Sequence, residues 1–250
     1  MKQYPDGSLE LRICETIKNK VKELDRSDLF REPVVGFSSA LDARFYELKN
    51  IIGPWHRLPS DFVPGAASVI SYYVPFTKAL AEEPLKAEVV SEKWSEAYLI
   101  INEHFNVINA ALCDLLKAEG HDAAPIPSTH TYDKADIHCI WSHRSAGVIA
   151  GLGSFGANNL VITDKGSAVR FCTVITSAVL EPFSGSSVER CLRKQGKECS
   201  LCYDICPVDA LSDGEFKKFT CQDHLDENER VFGADVCGKC ISVCPLSYIE

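Results

Sequence analysis

The sequence predicts an α+β protein, with a mixed core of helices and strands over residues 1–180 and a cysteine-rich module over residues 181–250. Three observations predict this division. Some segments repeat apolar residues at helical spacing, whereas others are short runs of β-branched and aromatic residues. Eight of the twelve cysteines lie between positions 191 and 244. A chain of 250 residues is long enough for a core and a small appended module.

The first 120 residues alternate between helix and strand signals. A helix is predicted from Ser8, a suitable N-cap, and short buried strands are predicted at 33–39 and 66–76, with a proline-rich loop at 53–65 between them. A long helix is predicted after Pro84 and is ended by Gly120. Its apolar stripe steps by four and three positions through Trp94, Tyr98, Ile101, Phe105, Ile108, Leu112 and Leu115.

The next 70 residues contain shorter elements. A short strand is predicted within residues 121–127, and a short helix is predicted to start after Ser142. The stretches "NLVIT" (159–163) and "AVRFCTVIT" (168–176), joined by "DKGS", predict a β-hairpin. The composition of residues 181–187 is typical of a linker.

Charge and hydropathy exclude two classes of protein. The net charge of −9 disfavours a nucleic-acid binder, which usually has a basic face. The densest basic run is interpreted as a solvated turn and consists of Arg190, Arg193, Lys194 and Lys197. No apolar run is long enough to cross a bilayer, and the first ten residues lack the apolar segment of a secretory signal. We therefore expect a cytoplasmic protein without a membrane partner.

A repeated cysteine pattern is the strongest signal. The stretches "CSLCYDICP" (199–207) and "CGKCISVCP" (237–245) share the spacing C-x2-C-x3-C-P, and each has one further cysteine upstream, at Cys191 and Cys221. Clustered cysteines in a cytosolic chain favour metal or redox chemistry over disulfides. Eight thiolates are the number that two [4Fe–4S] clusters require.

The cysteine before each proline predicts an exchange of ligands between the two repeats. In two-cluster bacterial ferredoxins, the cysteine before proline ligates the other cluster. The predicted ligand sets are therefore Cys191, Cys199, Cys202 and Cys244 for one cluster, and Cys221, Cys237, Cys240 and Cys206 for the other. Two zinc sites are the main alternative, since C-x2-C pairs also build zinc ribbons, although zinc ribbons have no need of the C-P ending.

A glycine-rich stretch, "AGLGSFGANNLVITDKG" (150–166), precedes the cysteines. It contains a literal G-x-G-x-x-G, but it follows a helix and precedes a strand, which is the reverse of the dinucleotide-binding order. A tight turn alone accounts for the glycines. We also predict that the turn lines a redox-cofactor site, formed by Gly153, Ser154, Phe155, Gly156 and Asn158.

The order of these features resembles that of the epoxyqueuosine reductase family and of its relatives, the corrinoid reductive dehalogenases. The resemblance covers roughly residues 60–250 and includes "VPGAASVISYYVPFT", the long helix, "SHRSAGVIAGLGSFGANNLVITDKGSAVRFCTVIT" and the two C-P motifs. It implies a flavin-reductase-like α/β core followed by a two-cluster, ferredoxin-like module. It also implies cobalamin as the cofactor, with FMN or no organic cofactor as the alternatives.

The resemblance further implies an acidic proton donor upstream of the glycine-rich stretch. Asp136 is the nearest candidate, and Tyr132, His138 and His143 are its rivals. Arg144 and Arg170 are candidates for meeting an anionic group of a cofactor.

The predicted function is an oxidoreductase that passes single electrons through two clusters to a bound cofactor and reduces a small substrate. Ferredoxin or flavodoxin is the expected electron donor. The alternative is a non-catalytic electron carrier or activator that feeds a corrinoid or flavin partner protein. Binding of tRNA is not expected, because the sequence is acidic and ends six residues after Cys244, without the helical repeats of the epoxyqueuosine reductases.

Overall fold

The structure is a computed structural model that describes residues 4–128, 135–182 and 188–250. Helices and strands are mixed along the chain, as the fold class predicts. In chain order they are α1 (Leu9–Glu23), β1 (Val34–Ser39), α2 (Ala43–Ile51), β2 (Ser68–Pro75), α3 (Lys78–Lys86), α4 (Glu92–Ala118), β3 (Ala123–Pro125), α5 (His143–Ile149), β4 (Gly153–Phe155), β5 (Val161–Thr163), β6 (Val169–Thr176), α6 (Leu201–Asp204), β7 (Leu211–Ser212), β8 (Glu215–Phe216), α7 (Lys218–Phe232) and α8 (Lys239–Ser242).

An antiparallel sheet of four strands, in the order β1-β2-β6-β3, forms the centre of the molecule. All eight residues of β2 are buried, because β2 is flanked by strands and covered on both faces. β3 is short and pairs only with residues 174–176 of β6. In the described part of the chain, the outer edge of β6 from Val169 to Cys172 therefore has no strand beside it.

Helices cover both faces of the sheet. α1 and α4 pack on one face, where the predicted stripe of α4 is buried through Ile101, Phe105, Ile108 and Leu112. α2 and α5 pack on the other face around Trp141. The predicted helices α1, α4 and α5 are confirmed, as are the predicted serine N-caps of α1 and α5 and the predicted strands β1, β2 and β3.

The predicted hairpin between 159–163 and 168–176 is wrong. β5 pairs with β4, whereas β6 pairs with β2 and β3. The chain turns away between the two stretches, where Gly166 has a φ of +101°. The next two amides bond to the C-terminal segment instead: Ser167 N–H donates to the Leu246 carbonyl and Ala168 N–H to the Ser247 carbonyl, both at 2.9 Å.

The cysteine-rich segment packs directly on the core. Ala234 and Val236 are buried in the same apolar cluster as α1 and α4, and the Lys239 ammonium donates to the carbonyls of Pro84 and Ala87 at 3.1 and 2.8 Å. The division at residue 180 stays a prediction, and five residues of the predicted linker, 183–187, lie outside the described residues. Within the described ranges, no helix is long and apolar enough to cross a membrane.

Two buried histidines stabilise the seam between α5 and its neighbours. His56 is fully buried, and its Nε2 accepts from the Ser142 N–H at 3.2 Å. His143 is 6% exposed, with Nδ1 2.8 Å from Thr173 Oγ1 and Nε2 3.0 Å from the Pro127 carbonyl. Burial lowers the pKa of both side chains to about 4.

These histidines predict a loss of stability in mild acid. An unfolded histidine takes up its proton near pH 6.5, whereas the folded ones resist protonation, so their contribution is complete above pH 6.5 and is lost as the pH falls towards 4. Between pH 8 and pH 5 each histidine should lower the free energy of unfolding by about 2 kcal/mol. Urea titrations of His143→Gln should show a weaker pH dependence than the wild type. The partly exposed His104 is the control, and an equal weakening in His104→Gln would contradict the assignment.

Candidate functional site

The first set of cysteines surrounds one small cavity. Cys191, Cys199, Cys202 and Cys244 line it, together with Ala157 and residues of the flanking turns. Burial raises the pKa of Cys202 to about 11, and the next contributions come from the other three thiols of the set. Each thiol therefore lies within electrostatic reach of Cys202, although they come from two distant repeats.

The second set gathers in the same way. Burial raises the pKa of Cys221 to about 11, and Cys206 and Cys237 add to this effect. Burial raises the pKa of Cys240 to about 12, with further contributions led by Cys237 and Cys221. Cys202 of the first set and then Cys206 make smaller contributions, so Cys240 is an electrostatic neighbour of thiols from both sets.

The local structure explains why C-x2-C-x3-C-P brings the thiols into these groups. Each C-x2-C pair spans the start of a short helix, α6 or α8, and each cysteine before proline closes the following turn. The Cys206 N–H donates to the Tyr203 carbonyl and the Cys244 N–H to the Ile241 carbonyl, both at 3.1 Å. Gly238, with a φ of +83°, provides the left-handed residue that starts α8. Cys244 lines the cavity of the first repeat's pair, and Cys206 is an electrostatic neighbour of Cys221 and Cys240. The assignment of the eight cysteines as cluster ligands stays a prediction.

Within the described ranges, no group of three or more Cys, His, Asp or Glu side chains is placed so that it could hold a metal ion. The identity of the metal at the two sets of cysteines stays a prediction.

The β4–β5 hairpin lies between the sheet and both sets of cysteines. The Ala157 N–H donates to Cys191 Sγ at 3.4 Å, and Asn158 Nδ2 donates to the Cys240 carbonyl at 3.0 Å. Ser154 Oγ donates to the Val188 carbonyl at 3.0 Å. The glycine-rich stretch therefore joins the core to the cysteine-rich segment.

The glycines of this hairpin are needed for its own packing. A Cβ on Gly153 would lie 2.5 Å from the Ile162 carbonyl oxygen, and a Cβ on Gly156 would lie 2.9 Å from Asn158 Oδ1. Gly153, Ser154 and Phe155 form the strand β4, where a turn is predicted. The cofactor-lining role of Gly153, Ser154, Phe155, Gly156 and Asn158 stays a prediction.

A cleft of about 530 Å³ opens between this hairpin and the β7–β8 hairpin. Phe155, Tyr203 and Phe216 give it aromatic walls, and Gly156 lines it as well. Asn158 lines the first cysteine cavity instead. The structure thus places two of the five predicted cofactor residues in an open cleft beside the first set of cysteines and one in the cavity of that set.

Arg144 lies on α5 and Arg170 on β6. Arg144 Nη1 donates to the Asn159 carbonyl at 2.6 Å, and Arg170 Nη2 donates to Asn102 Oδ1 at 2.9 Å. Desolvation lowers the pKa of Arg144, and the positive charge of Arg170 is the next cause. The contact of these two arginines with an anionic group of a cofactor stays a prediction.

The candidates for proton donor are spread over different surroundings. Asp136 has a side chain that is 66% exposed, with one carboxylate oxygen 3.8 Å from Nδ1 of His138. The ring of His138 stacks on Trp55 at a centroid distance of 4.3 Å. His143 is buried, with both ring nitrogens bonded, and Tyr132 lies outside the described residues. Of the four, Asp136 and His138 lie together.

Comparison with known proteins identifies relatives of the chain. No family model matches it. Over 209 residues it is 25% identical to the epoxyqueuosine reductase of Bacillus cereus, in an alignment that covers 75% of this chain and 50% of that protein. Over 121 residues it is 30% identical to the tetrachloroethene reductive dehalogenase of Dehalobacter restrictus, covering 41% of this chain and 22% of that protein. The chain is a relative of these two groups of reductases.

The chain spans about half the length of the epoxyqueuosine reductases that it matches. The structure of epoxyqueuosine reductase from Streptococcus thermophilus superposes with a TM-score of 0.58 at 19% identity, covering 96% of this chain and 66% of that one. A catabolic reductive dehalogenase solved with 3-bromo-4-hydroxybenzoic acid gives a TM-score of 0.60 at 17% identity, covering 87% and 30%. The chain therefore shares the fold of these two proteins, and the resemblance noted in the sequence is confirmed.

Two features of this protein were not predicted from its sequence. The hydrogen bond from Asn158 to the Cys240 carbonyl joins residues 82 positions apart, and no local sequence pattern predicts it. The open edge of β6 depends on how short β3 is, which the sequence does not fix. The one available signal was an arginine, Arg170, in an otherwise apolar strand.

Proposed function

We propose that the protein is an oxidoreductase that moves single electrons through two [4Fe–4S] clusters to a bound organic cofactor. The observation that carries this proposal is the gathering of the eight cysteines into two groups of four, each built from both repeats. The relatives are named as reductases, which supports the same class of reaction. The C-terminal segment would then be a two-cluster, ferredoxin-like module.

The proposed ligands are the two sets described above. Burial raises the pKa of Cys202 to about 11 and of Cys240 to about 12, so both thiols are protonated near neutral pH, and binding iron would displace their protons. Two backbone amides also point at sulfur: Ala157 N–H at Cys191 Sγ (3.4 Å) and Ala210 N–H at Cys206 Sγ (3.3 Å). Hydrogen bonds to cluster sulfurs raise the reduction potential, so these amides would favour the reduced clusters.

The organic cofactor is proposed to lie beside the β4–β5 hairpin. The cleft along Phe155 and Gly156 is accessible, and it is also lined by Tyr203, the residue after Cys202. Cobalamin is favoured by the kinship with corrinoid reductases, and FMN is the alternative. The bound cofactor would supply the redox chemistry that reduces the substrate. The hairpin would hold the cofactor near the clusters and shield one side of it from water.

An anaerobic titration tests whether an organic cofactor binds. Hydroxocobalamin and FMN are added separately to the cluster-loaded protein, and binding is followed by visible spectra. Gly156→Leu should abolish binding while the iron content stays intact, because its side chain would push against Asn158 and Ile162. If neither cofactor binds the unmodified protein, the hypothesis that it is a reductase fails, and the alternative of an electron carrier takes its place.

Proposed partners follow from charge. Arg190 and Arg193, in the densest basic run, are paired with Asp164 and Asp213, so their charges are already compensated. We therefore expect a small substrate rather than tRNA, with ferredoxin or flavodoxin as the electron donor. Gel-shift assays at several salt concentrations should show no tight tRNA binding, and submicromolar, salt-sensitive binding would contradict this expectation.

A further inference from the structure

The cavity of the first set of cysteines and the open cleft beside it share a thin wall. Ala157 and Arg193 line both of them. Ala157 directs its backbone amide at Cys191, whereas Arg193 contributes a side chain that is 29% exposed. Among the described residues that line the cysteine cavity, Arg193 is the one with a permanent charge. This arginine therefore lies where a charge would act on the metal centre of the first set.

The side chain of Arg193 contacts the C-x2-C pair of its own repeat. Its Nη1 donates to the Cys199 carbonyl at 3.0 Å. Its guanidinium carbon lies 5.0 Å from the centre of the ring of Tyr203, the residue that follows Cys202. Arg193 itself comes two positions after Cys191. One side chain thus joins the segments that carry three of the four thiols of the first set.

The guanidinium of Arg193 also pairs with Asp213, in the turn of the β7–β8 hairpin. Its Nε donates to Asp213 Oδ1 at 2.7 Å, and its Nη2 donates to Asp213 Oδ2. Two parallel hydrogen bonds of this kind fix the orientation of a guanidinium group. Arg193 therefore bridges the cysteine pair and a carboxylate on the hairpin, and this carboxylate partly balances its charge.

We propose that Arg193 is a positioning residue for the first set of cysteines and that its charge, partly balanced by Asp213, raises the reduction potential of the cluster bound there. The inference rests on the proposed function, because it requires a [4Fe–4S] cluster at the first set. Reduction makes a cluster more negative, so a nearby positive charge stabilises the reduced state and a nearby negative charge destabilises it. Since Arg193 also lines the cleft, it would set the driving force for moving one electron between this cluster and a cofactor bound in the cleft.

Redox titrations of the cluster-loaded protein, followed by EPR, test the effect of the charge. Variants that lack one cysteine of either set identify the spectrum of each cluster. At the potential where half of the first cluster is reduced in the wild type, Arg193→Gln should lower the ratio of reduced to oxidised cluster by about threefold or more, and Asp213→Asn should raise it. A change of the same sign in both variants would overturn the proposal, because it would reflect loosened packing and not charge.

Arg193→Lys separates the charge from the positioning role. Lysine keeps the positive charge but lacks the forked donors, so this variant should keep the potential closer to that of the wild type than Arg193→Gln does. Both variants should release iron from the first cluster to a chelator about tenfold faster than the wild type, because both lose the charged hydrogen bonds that hold the segments together. Iron release at the wild-type rate in both would overturn the positioning role.

Arg26→Gln is the matched control. Arg26 makes the same forked pair with Asp28, at 2.9 and 3.1 Å, its side chain is 28% exposed, and it lines neither the cysteine cavity nor the cleft. Its substitution should leave the potential and the iron release of the first cluster unchanged. A purified protein without iron and sulfide would overturn the proposed function and this inference with it. Intact clusters with an unchanged potential in Arg193→Gln would overturn this inference alone.

Discussion

Cys206→Ala is expected to abolish the cluster of the second set and to leave the cluster at Cys199 and Cys202 in place. Cys206 belongs by sequence to the first repeat, but its thiol acts on Cys221 and Cys240 of the second. Removing one of four thiolates leaves a cubane without a full set of ligands. The iron content should fall from about eight to about four atoms per chain.

Paired variants make this result decisive. Cys206→Ala and Cys240→Ala should leave the same residual EPR spectrum after reduction, because both lose the same cluster. Cys202→Ala and Cys244→Ala should share the other spectrum. Cys113→Ala, a half-buried cysteine of α4 that belongs to neither set, should keep the full iron content. A spectrum shared by Cys206→Ala and Cys202→Ala would show that each repeat binds its own cluster.

Gly238→Ala is expected to disrupt the backbone that holds the second set of cysteines. It is also expected to lower the free energy of unfolding of the whole protein. Gly238 has a φ of +83°, and an added Cβ would lie 2.7 Å from the Trp94 ring and 2.8 Å from Pro84. The left-handed backbone alone costs about 1–2 kcal/mol, and overpacking against a buried ring adds about 1–3 kcal/mol. We therefore expect a loss of at least about 2 kcal/mol in the free energy of unfolding, with preferential loss of the second cluster.

Gly120→Ala is the matched control for this substitution. Gly120 has nearly the same backbone, with a φ of +81°, but a Cβ there would meet nothing within 4 Å. Its substitution should therefore cost only the backbone term of about 1–2 kcal/mol and should leave the iron content unchanged. Urea titration and iron analysis measure both effects. Equal losses in the two variants would show that the contact with Trp94 contributes nothing.

The sequence predicts local features of this protein well and long-range ones poorly. The stripe from Trp94 to Leu112 predicts α4 because an amphipathic helix repeats every few residues. The sequence does not predict the partner of β5, because the strand "VIT" is short and could pair with either β4 or β6. The helix α3 was missed because it contains Pro84, which is normally a sign that a helix ends.

The cysteine grouping was predictable for a different reason. Two identical C-x2-C-x3-C-P motifs carry their own geometry, since the proline ends each turn and directs its cysteine away from the local pair. The placement of Arg144 relative to Arg170 was not predictable, because it depends on how α5 packs on β6. That packing is set by buried side chains such as Trp141 and Thr173, whose indole N–H and hydroxyl are 2.9 Å apart.

The eight clustered cysteines are expected to hold two [4Fe–4S] clusters. The iron, zinc and acid-labile sulfide content of the anaerobically purified protein tests this directly, together with EPR after reduction by dithionite. We expect about eight iron and eight sulfide per chain and the spectra of two reduced clusters. Stoichiometric zinc without sulfide, in a colourless protein, would contradict this expectation.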